Sequence, residues 1–149
     1  MPLIDVTYPQ GALTDAARDA LVEALTVAVM NAEDLPDAPF FRGVTWACAH
    51  EQPSGTYYAG GQPIDRPLFR VEARVLAGAV TTERKQTLVE AATQAVIEHS
   101  ELGADDAPRV MVVLDEVADG NWGAAGGIVN AEALAGAIAA HREQEAAAS

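Results

Sequence analysis

Cysteine is nearly absent from this chain. Cys48 is the only one, so no internal disulfide can form and the fold has to rest on its core. A lone thiol also fits a reducing compartment. Basic residues are scarce as well. Nine Lys and Arg stand against 22 Asp and Glu, for a formal charge of −13. Nucleic acid wants a basic stripe, and anionic membrane surfaces want the same, so neither is an expected partner. The same deficit repels anionic substrates at long range, so arginines at a site would have to reverse the field locally. No run approaches 18 consecutive apolar residues, and no membrane span is expected. The first residues carry neither a basic region nor a signal-like apolar block, and the expectation is a cytoplasmic protein.

What is present is repetition, which defines architectures when it occurs. Pro2, Leu3, Ile4, Asp5 and Val6 are answered by Pro67, Leu68, Phe69, Arg70 and Val71. Both stretches are rich in β-formers with rough alternation, and both predict strands. Each ends near a glycine, Gly11 or Gly78, and each turn leads to a hydroxyl at a helix start. Thr14 precedes Asp15, and Thr81 and Thr82 precede Glu83, the pattern of N-caps with acids in the first turn. Ala17, Leu21, Leu25, Ala28 and Val29 then share one helical face; Leu88, Ala92, Ala95, Val96 and His99 share another. Acidic, proline-bearing loops follow, with Pro39 in the first and Pro108 in the second. Second strands are expected at 44–49 and 110–114. The closest echo comes last: Glu51, Gly55, Tyr57, Gly60 and Gly61 match Glu116, Gly120, Trp122, Gly126 and Gly127. Glycines so spaced suit tight hairpins.

The pattern is β-α-β-loop, twice, which predicts an α/β (α+β) protein. Each strand–helix–strand unit is expected to be parallel and right-handed. Two units, about 2–64 and 67–129, would pair into a four-stranded sheet with both helices on one face. A C-terminal helical tail, 130–149, would add Leu134 and Ile138 and fray toward its end. Together they form one domain, 1–149. The other sheet face, with Leu3, Asp5, Thr7, Arg70, Glu72 and Arg74, would lie open to a partner, most simply further copies of the chain.

One difference between the units carries chemistry. Pro67 is internal, and its nitrogen is an amide. Pro2 follows Met1, and a small second residue permits removal of the initiator, leaving a free secondary amine. Solvated α-amino groups titrate at about 7.7–8.0, so roughly a tenth would be neutral at pH 7. Burial lowers that value further. Such an amine suits a general base whose conjugate acid returns the proton.

A proline after Met1, the duplicated β-α-β units of about 65 residues and the glycine–polar–aromatic hairpins together resemble the tautomerase superfamily. Residues 74–88 and 116–127 are similar to a 4-oxalocrotonate tautomerase subunit. The two fused units, with Glu51 to Gly55 followed by Gly60 and Gly61, also resemble the cis-3-chloroacrylic acid dehalogenase group. The resemblance covers about residues 2–129. It implies a homotrimer, a small anionic keto or enol acid as substrate, and no metal or organic cofactor. It implies Pro2 as the catalytic residue. Arginines would bind the substrate carboxylate and stabilise enolate charge, and an aromatic, Trp122 or Tyr57, would form an apolar wall. Family members carry arginine just after the first-strand glycine; here Ala12 and Ala79 stand there. Arg70 and Arg74, on one side of the third strand, are the substitutes, with Arg42 and Arg109 as further possibilities. A ladder of ion pairs with Asp5 would equally explain Arg70 and Arg74. The histidine of the dehalogenase group is Val29 or Met30 here, and its late glutamate has no equivalent in the second hairpin. That disfavours dehalogenation, hydration or decarboxylation and leaves keto–enol tautomerisation, an isomerase activity. A trimeric binding protein without activity is the non-enzymatic rival. Cys48 and His50 share a strand face with Trp46, about 7 Å apart at Cβ by strand rise, and are expected to pack. The three histidines show no metal-ligand spacing.

Overall fold

The structure, a computed structural model, describes residues 1–148. Strand β1 (Leu3–Pro9) buries Ile4, Val6 and Tyr8, the apolar half of its alternation. Helix α1 (Asp15–Ala32) starts at Thr14, whose Oγ1 accepts from the Ala17 N–H at 3.2 Å. It buries Leu21, Leu25 and Val29 on one stripe. The first proline-bearing loop contains a short helix, α2 (Pro39–Gly43), with Pro39 where a missing N–H costs nothing. Strand β2 (Trp46–Gln52) follows, then a hairpin of β3 (Tyr58–Ala59) and β4 (Gln62–Pro63).

The second unit repeats the plan. Strand β5 (Phe69–Leu76) leads to α3 (Thr82–His99), capped by Thr81 Oγ1, which accepts from the Arg84 N–H at 3.3 Å. A 3-10 turn (Ala104–Arg109) occupies the second proline-bearing loop, where sequence had shown only a loop. Strand β6 (Val110–Val117) runs three residues beyond its expected end, and a hairpin of β7 (Trp122–Ala124) and β8 (Gly127–Val129) closes the unit.

β1 pairs with β2 in parallel, β5 with β6 in parallel, and β1 with β5 antiparallel, giving the order β2-β1-β5-β6. The central pairing matches Val6 with Val71 and Ile4 with Ala73, so the two units meet about a local two-fold axis. The predicted four-stranded sheet is present. Ile4, Val6, Val71, Ala73 and Val75 face Leu21, Leu25, Leu88, Ala92 and Val96 in one core. Burying each of the larger side chains contributes about 1.5–3 kcal/mol.

The repeated glutamates have a structural role that their spacing alone did not disclose. The Gly11 N–H donates to Glu51 Oε1 at 2.9 Å, and the Gly78 N–H donates to Glu116 Oε1 at 3.3 Å. Each glutamate reaches from the end of a second strand to clasp the turn after the first. Both glycines sit at φ near +80°, where a Cβ would be strained.

Helix α4 (Ala131–Ala148) crosses a second, smaller cluster of Met30, Leu35, Phe41, Leu76 and Leu134. Fraying was expected from Glu143 onward, yet the helix continues through Ala148, as alanine's helix propensity favours. Ser149 lies outside the described residues. Phe41 is 1% exposed and meets His141 of α4 edge-on at 5.5 Å. Phe41→Ala should therefore cost about 3–5 kcal/mol, read as a lower urea midpoint with an unchanged slope. No helix among the described residues is long and apolar enough to cross a membrane.

Candidate active site

The residues ahead of β1 open the candidate site. Pro2 is fully buried, and its carbonyl accepts from the Trp46 N–H at 3.1 Å, which carries the β1–β2 ladder to the chain's first residues. The turn after β6 closes with the Asn121 N–H donating to the Ala118 carbonyl at 3.0 Å, and so sets Trp122 at the head of β7. Trp122 packs against the second core. The outcome is a mostly apolar cavity of about 720 Å³ lined by Met1, Pro2, Val44, Arg74, Val117 and Trp122.

Arg74 supplies the positive charge. It sits on β5 with its side chain on the face opposite Ala73 and Val75, as strand alternation requires. Its Nη1 donates to Asp5 Oδ2 at 2.8 Å, and its Nε lies 3.5 Å from Asp115 Oδ2. His50 Nε2 lies 2.5 Å from the other Asp5 oxygen. Burial works against the Asp5 carboxylate, but its bonds to His50 and Arg74 outweigh that and hold its pKa below the usual range. Asp5 is thus a firm anchor for the guanidinium.

A second cavity, about 760 Å³, lies on the open sheet face. Arg70, Tyr57, Glu72 and His50 line it, and Arg74 borders both cavities. Of the aromatics, the structure sets Trp122 beside Pro2 and Tyr57 in the other cavity. Of the β5 arginines, it sets Arg74 beside Pro2, whereas Arg70 pairs with Glu72 at 3.2 Å in the second cavity. Burial pushes the Tyr57 hydroxyl above its usual pKa, with Arg70 offsetting part of the shift.

Arg42 and Arg109 take no part in either cavity. Arg42 bonds Asp37 and Glu23, and Arg109 bonds Asp65 and the Arg66 carbonyl. Ala12 and Ala79 pack against the core. Cys48, His50 and Trp46 differ from expectation: β2 is an edge strand, and all three side chains stand exposed instead of packed. Asp5, Cys48 and His50 bring their donor atoms within 4.8 Å of one another, but Arg74 already holds Asp5.

Sequence reasoning missed Glu33. This residue ends α1 in a Schellman turn: Leu35 N–H donates to the Met30 carbonyl at 2.9 Å and Asp34 N–H to the Asn31 carbonyl at 3.2 Å. Asp34 takes the left-handed conformation at φ 58°. The Glu33 side chain is fully buried, and its Oε2 lies 3.4 Å from the amino-terminal nitrogen of Met1. Oε1 is buried with no hydrogen-bond partner. Burial pushes the carboxyl pKa up, and the amino-terminal charge and the Leu76 N–H offset only part of that. A signal existed in the sequence. An acid at a helix C-terminus opposes the helix dipole, and α1 has no basic residue in its last turn.

Residues 67–132 match the family model described as tautomerase enzyme. A fused 4-OT, solved as a symmetric trimer, is 28% identical, with 89% of this chain and 98% of that chain covered and a TM-score of 0.72. The second unit thus matches the tautomerase family model, and the whole chain shares the fold of the fused 4-OT. Two further structures share the fold. Pt0534, solved after inactivation by 2-oxo-3-pentynoate, is 24% identical over 89% of this chain and 98% of that one, with a TM-score of 0.73. N1, a member of the cis-3-chloroacrylic acid dehalogenase family, is 20% identical over 85% and 82%, also with a TM-score of 0.73. No curated protein matches the chain significantly. The tautomerase match falls on the second unit, while Pro2 and Glu33 belong to the first; both units line the Pro2 cavity.

Proposed function

We propose that this protein is a tautomerase-superfamily member, a cofactor-independent isomerase that moves a proton between oxygen and carbon of a small enolisable carboxylate. The observation that carries the reading is the single cavity shared by Pro2, Arg74 and Trp122. With Met1 removed, the Pro2 nitrogen takes a proton from the substrate as an O–H or C–H bond breaks. The electron pair left behind delocalises as a dienolate or enolate. Arg74 binds the carboxylate and stabilises that charge, an effect strongest in a water-poor site. The Pro2 ammonium then returns the proton at the other end of the conjugated system. Trp122 supplies an apolar wall that keeps water from competing. The functional unit is a homotrimer, as in the fused 4-OT relative; the open sheet face, with Trp46 and Met111 exposed, is the surface it would cover.

The test is turnover of phenylenolpyruvate or 2-hydroxymuconate, followed by loss of enol absorbance, together with labelling by 2-oxo-3-pentynoate, the reagent that inactivates Pt0534. Addition of an amine to its conjugated triple bond forms an N–C bond and retains every atom of the reagent. One equivalent on Pro2 with loss of turnover is expected. Labelling elsewhere with Pro2 free, or no turnover of either acid by the unlabelled protein, would overturn the proposal.

A further inference from the structure

We infer that Glu33 is the built-in counter-ion of the processed amino terminus, a positioning residue that sets how tightly the Pro2 nitrogen holds its proton. The inference rests on Pro2 being that terminus. Four observations converge on it. The carboxylate is fully buried and faces the amino-terminal charge at 3.4 Å. One of its oxygens is buried without a partner. It ends a helix, where its charge opposes the dipole and gains nothing locally. The Schellman turn fixes its backbone, and Asp34 beyond it is tied outward to Arg142 at 2.8 Å and Arg84 at 3.6 Å. A buried, half-unsatisfied carboxylate is costly, and a group kept against local preference marks a functional position.

Removing Met1 moves the terminal charge one residue along the chain. Bond lengths limit the step between successive backbone nitrogens to about 3.7 Å, which leaves the Pro2 nitrogen within about 7 Å of Glu33 Oε2. A prolinium carries two N–H donors, and the space vacated by Met1 lets the unpartnered oxygen or one water meet them. The charges around this pair are few. Arg74 lines the Pro2 cavity from β5, the Leu76 N–H of the same strand reaches Glu33, and just past α1 Asp34 is engaged outward.

Two effects compete at the Pro2 nitrogen. Burial beside Trp122 and Arg74 disfavours the ammonium, while the Glu33 carboxylate favours it. At this separation in a dry setting the carboxylate offsets part of the burial, so the amine holds its proton more tightly than burial and Arg74 alone would allow. The free base that the proposed function needs and its conjugate acid are then both present near neutral pH, and the share of free base rises with pH. Glu33→Gln leaves burial and Arg74 unopposed and lowers the amine pKa.

The test is a pH titration of the amino-terminal nitrogen by NMR, using protein labelled with 15N-proline. It reads protonation without reference to turnover. We expect a Glu33→Gln midpoint at least one unit below wild type, with Glu33→Asp between them. That is at least a tenfold gain in the ratio of neutral to protonated amine for Glu33→Gln. Equal midpoints in wild type and Glu33→Gln would overturn the inference and leave the proposed function standing. Should Glu33→Gln not fold, Glu33→Asp is read in its place, and a midpoint equal to wild type overturns the inference. If no proline nitrogen titrates, Pro2 is not the terminus, and the inference and the proposed function both fall.

Discussion

Arg74→Ala is expected to lower kcat/KM for an enolisable acid by about 10²–10³-fold, the scale of removing one positioned charge stabiliser. Part of the loss should appear in KM, because Arg74 also holds the carboxylate, and part in kcat. The fold should survive, since the variant leaves Asp5 bonded to His50 at 2.5 Å. Arg70→Ala is the matched control. Arg70 lines the other cavity and pairs with Glu72 near the surface. Its loss should change kcat/KM by no more than about fivefold, the scale of an exposed ion pair. Steady-state kinetics of the two variants, with melting curves to show that both are folded, check the prediction. Equal losses in both would mean that substrate spans the two cavities.

Keeping a residue in front of Pro2 should be as damaging. An acylated proline nitrogen is an amide and cannot take a proton, so a chain with an uncleavable extension ahead of Pro2 should lose about 10²–10⁴-fold in kcat. Pro2→Ala should lose less, because processing still leaves an amine. Intact mass measured on the same samples as turnover makes the comparison decisive: activity should follow the fraction of chains that begin at Pro2.

Much of the fold was legible because the chain carries its plan twice. Thr14 and Thr81 announce the helix starts, and their side chains cap them. The alternation around Val71, Ala73 and Val75 separates core from open face, and the arginines fall on the open side. Glu51 and Glu116 were visible as matched letters, but their clasp on Gly11 and Gly78 depends on parallel pairing within each unit. Short helical turns at Pro39 and Pro108 were hidden because proline and aspartate mark loops and first turns equally.

The candidate site was legible in its parts and not in its grouping. Pro2, Arg74 and Trp122 come from β1, β5 and β7, and only the sheet order brings them to one cavity. The repeat makes Tyr57 and Trp122 equivalent, yet only the second unit's hairpin reaches Pro2, because the two-fold axis sends the first hairpin toward Arg70. Cys48, His50 and Trp46 read as a packed stripe, since period alone does not say which face of an edge strand is covered. Glu33 looked like one acid among 22. Its meaning came from burial and from the amino-terminal nitrogen 3.4 Å away.

The most direct test of this account is a crystal structure of the processed protein with a non-reacting analogue of a small enol acid. The account predicts the analogue's carboxylate on the Arg74 guanidinium, its ring or chain against Trp122, and the proton-accepting carbon about 3–3.5 Å from the Pro2 nitrogen. An analogue seated between Tyr57 and Arg70, with the space around Pro2 empty, would contradict it.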